Sequence, residues 1–593
     1  MQYSRLNWRD GQPYSEVFDD IYYSSNDSER ISGGEEFAHV FFRHNGLPER
    51  WQGEKDFVIA ELGFGSGLNC ILTIREWLKH LAETQTEKRL HYIAIEKYPL
   101  SPDTITEIIS RYPELQTFCD ELLANYPPAI EGTHSRQLFE NRVVIHYRFM
   151  DAEKALADER LNVDAWYLDG FSPAKNADMW SQELFLKLAR NSHEGTTCST
   201  YTCAGQVKRN LQNAGFVVSK TAGYGKKREM LVARLEHAEN TPYRYADKPW
   251  YVTPSATACT PKKATIIGAG IAGLSIAYAL ITRGWSIDII DRQGDVGRET
   301  SANPAAITYP RLAVDNALDT EFYTAAFCYN LYALKMLQQK YAGQFWFDSG
   351  LLQLMDRRRF TEIVKKFDLN EAFVSLADEE QERLAAIYPA TENEQQVYVD
   401  YKTAGVILPG VLCEALKTLC GDSLKIIRAE IGTISNQKNQ WRCLSADELV
   451  TQSEILIIAN GAGINDLGLP IHFPLETVRG QATALKANAK SKKIKKAVNS
   501  AFYITPAIAG KHYLGGTYSR ENKSLAITAD DEQALFESVD AMFPDVFTPQ
   551  DCCDAWAGLR TMSKDRVAIV GAVPDSDYFS QAYADICHGK VNK

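Results

Sequence analysis

The sequence predicts an α/β protein of two tandem domains, each opening on a glycine-rich strand-to-helix turn. Three observations carry that expectation. Two apolar strands run directly into glycine clusters, Gly63-Phe64-Gly65-Ser66-Gly67 and Gly268-Ala269-Gly270-Ile271-Ala272-Gly273. Around each cluster, short β-rich runs alternate with stretches of helical periodicity, the pattern of a parallel sheet with crossover helices. Between them, residues 237–261 carry Pro242, Pro249, Pro254 and Pro261 and the small-residue run SATACT, a linker composition. The chain of 593 residues is too long for one core, and its 45% apolar and 24% charged residues rule out a largely disordered protein.

Charge and cysteine usage narrow the class. Acidic residues outnumber Lys plus Arg by 76 to 64, a net charge of −12 that argues against a generic nucleic-acid coat or a polybasic membrane binder. Twelve cysteines lie scattered with no C-x-x-C among them, which predicts reduced thiols and no metal site. The N-terminus has no apolar signal region and no run reaches the length of a spanning helix, so the expected setting is cytoplasmic, with no membrane.

Four strands are expected in the first domain: 56–62 (DFVIAEL), 90–96 (LHYIAIE), 143–149 (VVIHYRF) and 164–169 (DAWYLD). Each has a carboxylate at or just beyond its C-terminal end, Glu61, Glu96, Asp151 and Asp169, where open α/β sheets bind ligands. The glycine spacing is G-x-G-x-G, at Gly63, Gly65 and Gly67, followed by Asn69. Four acids around one crevice repel a pyrophosphate but suit a sulfonium, an ammonium, a ribose diol and an adenine amine. S-adenosyl-L-methionine carries all four. Glu61 is then expected near its ammonium, Glu96 at the ribose hydroxyls and Asp151 near the adenine. Asp169 opens the segment DGFSPAKN, beside the transferable methyl, and a carboxylate there orients an amine and stabilises charge growing on its nitrogen. Asp169 is the candidate catalytic residue, with Tyr201 as a candidate for holding the acceptor.

The second cluster is G-x-G-x-x-G, at Gly268, Gly270 and Gly273. It follows the strand Thr265-Ile266-Ile267 and opens an apolar helix, and Asp291 ends the next strand, SIDIID. That unit places a pyrophosphate on a helix N-terminus and a ribose hydroxyl on Asp291. The motif alone does not separate NAD from FAD. The domain's length and the small residues of 297–312, Ser301 and Asn303 among them, tilt toward a flavin.

The segments ELGFGSGLN, YLDGFSPAKNADMW, TYTCAG and GYGKKREML, followed by GAGIAG, SANPAAITYP, VRGQ and WAGLR, resemble the tRNA 5-methylaminomethyl-2-thiouridine biosynthesis bifunctional family. The second half also resembles the wider D-amino-acid-oxidase and glycine-oxidase superfamily. The resemblance implies a Rossmann-like S-adenosyl-L-methionine-dependent methyltransferase domain over 1–236, the linker 237–261, and over 262–593 an FAD-binding Rossmann domain with a mixed α+β substrate section. It implies that the flavin domain cleaves 5-carboxymethylaminomethyl-uridine of the tRNA wobble position to the aminomethyl form, which the first domain methylates. Carried over residue by residue, Asp169 lies in the acceptor motif. Gly268, Gly270, Gly273 and Asp291, with Arg292 beside it, match the FAD fingerprint. Arg479 and Gln481 lie in VRGQ near flavin or substrate, and Arg560 is a candidate for the substrate carboxylate.

One departure is expected to matter. The family continues past AIVGAVPD (568–575) with a glycine-rich return beside the flavin, whereas this chain ends at ICHGKVNK (586–593), so the flavin domain is expected to be shortened. Two alternatives follow: a small-molecule amine methyltransferase fused to an amine oxidase, or a methyltransferase with a non-functional flavin half. Six lysines between Lys486 and Lys496, Lys226-Lys227-Arg228 and Arg357-Arg358-Arg359 are the basic runs available for tRNA phosphates.

Overall fold

A computed structural model describes residues 1–9, 12–22, 32–53, 55–157, 161–225, 227–236, 262–312, 317–367, 369–371, 373–377 and 395–584. The linker 237–261 and the tail segment ICHGKVNK lie outside the described residues. The chain divides into two compact units, one built on Met1–Val252 and the other on Thr253–Tyr323, Ala333–Lys366 and Glu371–Lys593. Among the described residues no helix is long and apolar enough to cross a membrane.

The first unit is an eight-stranded sheet. Its strands are β1 (Phe57–Leu62), β2 (Leu90–Glu96), β3 (Gly132–Leu138), β4 (Val143–Phe149), β5 (Val163–Leu168), β6 (Ser192–Thr200), β7 (Phe216–Ala222) and β8 (Glu229–Leu235), in the spatial order β7-β8-β6-β5-β1-β2-β4-β3. The four strands expected from sequence are β1, β2, β4 and β5, and they pair in parallel. The expectation of a parallel sheet holds only for the centre. At one edge β3 runs antiparallel to β4, and near the other β8 runs antiparallel between β6 and β7. Both faces of the central strands are covered, which is why they read as near-continuous apolar runs. Trp51, Trp77, Tyr92 and Tyr147 fill one side, and Trp166, Phe185, Leu188 and Leu231 the other.

From β1 the chain steps one way to β2 and β4, then returns to the other flank of β1 as β5. The C-terminal ends of β1 and β5 therefore bound a topological switch point, where a crevice opens. The glycine turn feeds α1 (Leu68–Thr84), which buries Leu68, Ile71, Ile74, Trp77 and Leu81 at three- and four-residue spacing. Helix α1 ends at Gln85, left-handed at φ 55°, whose N–H caps the Leu81 carbonyl at 2.8 Å.

The second unit begins with a parallel four-stranded sheet: β9 (Lys263–Ile267), β10 (Ser286–Asp291), β11 (Leu424–Arg428) and β12 (Ile455–Ile458), ordered β11-β10-β9-β12. Helix α2 (Ile271–Ile281) follows β9. A separate mixed eight-stranded sheet contains β13 (Leu475–Lys486), β14 (Lys511–Gly515) and β15 (Cys552–Ser563). Strand β13 pairs along its length with β15, with Arg479 opposite Leu559 and Gly480 opposite Gly558. Helix α3 (Ala529–Met542) contributes Leu535, Val539 and Met542 to a core with Leu485, Ile504 and Leu514.

The VRGQ segment sits inside β13. Arg479 and Gln481 are fully buried and their polar atoms are engaged within the protein. Arg479 donates to the Ser524 and Ala526 carbonyls at 2.6 and 2.7 Å, to Gln481 Oε1 at 3.0 Å and to the Asp531 carboxylate. Gln481 in turn binds the Thr528 carbonyl and N–H, each at 3.0 Å. Where the sequence suggested a substrate contact, the structure has a clamp holding residues 524–531 to β13. Replacing Arg479 with Met strands the Asp531 carboxylate and two carbonyls, so the second unit is expected to lose about 3–5 kcal/mol of stability. A denaturant melt followed by the second unit's fluorescence reads this directly, and an unchanged midpoint refutes it.

Candidate functional site

The crevice at the switch point is a cavity of about 640 Å³, within the usual range for small-molecule sites. Gly63, Gly65, Asn69, Glu96, Asp151, Asp169 and Tyr201 line it. Gly63 is required where it stands. Its φ of +88° is left-handed, and a Cβ there would lie 2.6 Å from the Asp169 carbonyl oxygen. That close approach locks the glycine turn against the end of β5, with the Asp169 N–H bonded to the Leu62 carbonyl at 3.0 Å.

Asn69 joins the acids. Its Nδ2 donates to Glu61 Oε1 at 2.8 Å and to Asp169 Oδ2 at 2.7 Å. Glu61, expected beside the ligand's ammonium, lies instead one layer beneath the cavity floor. It is fully buried and also accepts from the Tyr92 hydroxyl at 2.7 Å. Burial, reinforced by the charge of Asp169, holds its carboxyl well above the ordinary range. Glu61 thus reaches the cavity through Asn69. Gly67 does not line the cavity; it caps the start of α1.

Glu96 is anchored by two backbone donors, Gly65 N–H at 3.0 Å and Tyr98 N–H at 2.8 Å, one on each oxygen. The carboxylate's lone pairs outnumber its backbone donors, which leaves an acceptor for a ligand hydroxyl. Asp151 caps the helix Ala152–Ala155 through the Glu153 N–H at 2.9 Å and pairs with Lys97 at 3.1 Å.

Around Asp169 the walls are aromatic and acidic. Phe171 stacks on Phe18 at 4.7 Å and meets Tyr22 edge-on at 5.1 Å. The Tyr201 hydroxyl donates to the Gly170 carbonyl at 2.7 Å. Burial, then the neighbouring charge of Glu36, pushes the Asp169 carboxyl up to about 7, against the opposing effects of Asn69 and Lys227. Phe18, Asp20, Tyr22, Glu36 and Lys227 all line this end, and the sequence pattern had marked none of them for it. Of the basic run 226–228, Lys226 lies outside the described residues and Lys227 faces the cavity.

The second glycine turn is built for a dinucleotide. Asp291 at the end of β10 accepts from the Ala269 N–H at 3.0 Å and the Gln293 N–H at 2.8 Å, fixing it beside the turn. Ser301 accepts from the Ile271 N–H at 3.2 Å, at the start of α2. A Cβ on Gly268 would lie 2.6 Å from the Ala459 carbonyl oxygen, whereas one on Gly270 would meet only Ser301 Oγ, at 3.2 Å. The Gly270 face is therefore the one open to a ligand. These residues fit an FAD pyrophosphate and ribose. Arg292 pairs with Glu299 and stands 3.8 Å from Glu430.

Toward the mixed sheet, Asn303 Nδ2 reaches the Tyr503 hydroxyl at 3.5 Å, which itself donates to the Ala305 carbonyl at 2.7 Å. Arg560 packs flat over Gly480 and Gly516, where any side chain would collide with its guanidinium. One of its N–H groups goes to the Thr517 carbonyl at 3.3 Å. In the lysine-rich run, Lys496 is tied to Asp400 at 2.7 Å and Lys490 to the Asp545 carbonyl at 2.9 Å.

Two family models match the chain. Residues 113–236 match the model of an S-adenosyl-L-methionine-dependent methyltransferase family, and residues 263–589 that of the FAD dependent oxidoreductases. The chain is 32% identical to the tRNA 5-methylaminomethyl-2-thiouridine biosynthesis bifunctional protein MnmC of Pseudomonas fluorescens, covering 98% of this chain and 88% of the relative. It is 31% identical to the protein of the same name from Legionella pneumophila, covering 98% and 87%. Among solved structures, glycine oxidase from Bacillus cereus aligns with 51% of this chain and 84% of its own at 20% identity and a TM-score of 0.44.

Proposed function

Because the chain belongs to the family of tRNA 5-methylaminomethyl-2-thiouridine biosynthesis bifunctional proteins, we propose that it carries out both of the reactions that end that modification of the wobble uridine. Residues 1–236 are the methyltransferase, 237–261 the linker and 262–593 the oxidoreductase. The cytoplasm, where tRNA and reduced thiols coexist, is the setting. The observation that carries the methyltransferase reading is the Asn69 bridge, which holds Asp169 at the mouth of the glycine turn with a carboxyl tuned close to neutral pH.

S-adenosyl-L-methionine, when bound, supplies the methyl group. Gly63 and Gly65 give its chain room against the backbone, Glu96 accepts from the ribose hydroxyls and Asp151 stands at the adenine end. Asp169 accepts a hydrogen bond and then a proton from the tRNA aminomethyl group, leaving its nitrogen lone pair for the methyl. Asn69 orients that carboxylate, and the buried Glu61 orients Asn69.

FAD, when bound, supplies the oxidising chemistry at the C–N bond of the carboxymethylaminomethyl group. Gly270 and Ser301 receive its pyrophosphate, Gly268 and Gly273 let the turn pack closely beside them, and Asp291 takes a ribose hydroxyl. Arg560 takes the substrate carboxylate, with Asn303 and Tyr503 bounding the same site. Arg479 and Gln481 act by holding the clamp over β13.

The experiment is to incubate the protein with tRNA bearing 5-carboxymethylaminomethyl-2-thiouridine and analyse the nucleosides. With FAD alone the aminomethyl product should accumulate, and adding S-adenosyl-L-methionine should convert it to methylaminomethyl. Turnover of the free nucleoside as fast as the tRNA would favour the small-molecule reading instead. Methyl transfer should also depend on pH. Below about pH 7 Asp169 holds its own proton and cannot take one, so the rate should fall toward tenfold per pH unit. A rate constant flat from pH 5.5 to 8.5 would remove Asp169 from the proton-accepting role.

A further inference from the structure

Lys227 brings a cation into the acid-rich end of the cavity. Its ammonium stands 3.6 Å from the centroid of the Tyr201 ring and 3.9 Å from Glu36 Oε1. The charges of Glu36, Asp169 and Asp20 all act on it. The ring beneath it is held in place by the Tyr201–Gly170 hydrogen bond and by Trp180, edge-on at 6.3 Å. An aromatic face flanked by carboxylates is a general recognition site for an ammonium ion.

Lys227 is loosely held there. Its contact with Glu36 is at the outer limit of an ion pair, and 47% of its side chain is exposed against 17% for Glu36. Ion pairs of this kind bind weakly and exchange readily. The carboxylates are built into the cavity wall, and the lysine arrives from the segment preceding β8.

We propose that the cation site formed by the Tyr201 ring and Glu36 is the subsite that receives the acceptor's aminomethyl group as an ammonium ion, and that Lys227 is its resident occupant, displaced when the acceptor enters. The proposal rests on the methyltransferase reading above and adds to it the residues that select a cationic acceptor. Exchanging one ammonium for another keeps Glu36 and Asp169 compensated at every stage. Without any cation, the like charges of Glu36 and Asp169 would act on each other uncompensated. The charge of Asp169 acts at this position, at the same end of the cavity, so the seated ammonium enters beside the group that is to take its proton. Glu36 and Lys227 are thus positioning residues, one holding the nitrogen and the other holding its place.

The test uses the nucleoside 5-aminomethyluridine, which has no phosphate for a lysine to bind, with uridine as the amine-free control. Its affinity is measured by calorimetry on the full chain and on Lys227→Met, which keeps the stem and removes the charge. The variant should bind the aminomethyl nucleoside about threefold to tenfold more tightly and uridine no differently. Glu36→Gln and Tyr201→Leu should each weaken the aminomethyl nucleoside about tenfold. Unchanged S-adenosyl-L-methionine affinity in all three variants shows that the cavity has folded. Equal or weaker binding by Lys227→Met, or no binding of the nucleoside by either protein, overturns the proposal. If the unaltered chain also fails to methylate aminomethyl-bearing tRNA, the methyltransferase reading falls with it; if it methylates that tRNA, only the displacement idea is lost.

Discussion

Replacing Asp169 with Asn should cut methyl transfer by about 100-fold or more while leaving S-adenosyl-L-methionine affinity nearly unchanged. The amide keeps the size of the carboxyl, and its oxygen can still accept from Asn69, so the floor of the cavity survives. It cannot take a proton from the amine. The same change should stabilise the first unit at pH 8. The native Asp169 carboxyl keeps its proton up to about pH 7, whereas an unfolded aspartate releases it near 4. Between those values the native state binds more protons than the unfolded one, so stability falls as pH rises. Above pH 7 the native protein bears the whole cost of a buried charge, and the Asn variant does not. The difference should be smaller at pH 5 and vanish only below about pH 4, where the unfolded aspartate is protonated as well. Melting curves at pH 5 and pH 8 check this, at about 2–4 °C for each kcal/mol recovered in a unit of this size. Undiminished transfer would take Asp169 out of the mechanism. Destabilisation at both pH values would mean that the Asn69 bridge had been broken.

The second large effect is a contrast between two glycines three residues apart. Gly273→Ala should dismantle the flavin site through the fold itself, because the new Cβ would run into the Gly268 carbonyl oxygen and meet Ile266 at 3.4 Å. Backbone against backbone has no rotamer to yield, and overpacking of this kind costs about 1–3 kcal/mol or more. Gly270→Ala should leave the second unit's melting temperature almost unchanged, since its Cβ would meet only the Ser301 hydroxyl at 3.2 Å. It should nevertheless abolish the bound flavin's visible absorption band, because that face is where the pyrophosphate approaches the backbone. Thermal melts and absorption spectra with added FAD separate the two. Retention of flavin by Gly270→Ala would show that the ligand does not pass over this turn. Methyl transfer should persist in both variants.

Several of these features are readable from the chain alone. Strands β1, β2, β4 and β5 were legible because they are buried on both faces and so lack polar interruptions. Edge strand β3, GTHSRQL, was not. Only every second residue is buried, and two of those are His134 and Arg136, which give no apolar run to detect. The VRGQ segment misled for a related reason. A guanidinium in a strand looks like a surface or ligand group, and its burial depends on Asp531 and the 524–528 backbone, which adjacent residues do not announce.

The glycine turns and the acids at the strand ends are local facts. Steric limits on the backbone and the geometry of a strand end dictate them within a few residues, and the sequence by itself determined where two nucleotide-shaped ligands would bind. Which groups face those ligands depends on long-range packing. Only the tertiary structure decided that Glu61 lies beneath the floor and speaks through Asn69, that Arg479 is a clamp, and that Glu36 and Lys227 meet across Tyr201 beside Asp169. The raised carboxyl of Asp169 belongs to the second class. A carboxylate's ionisation is set by the solvent it loses and the charges it gains when distant segments close around it.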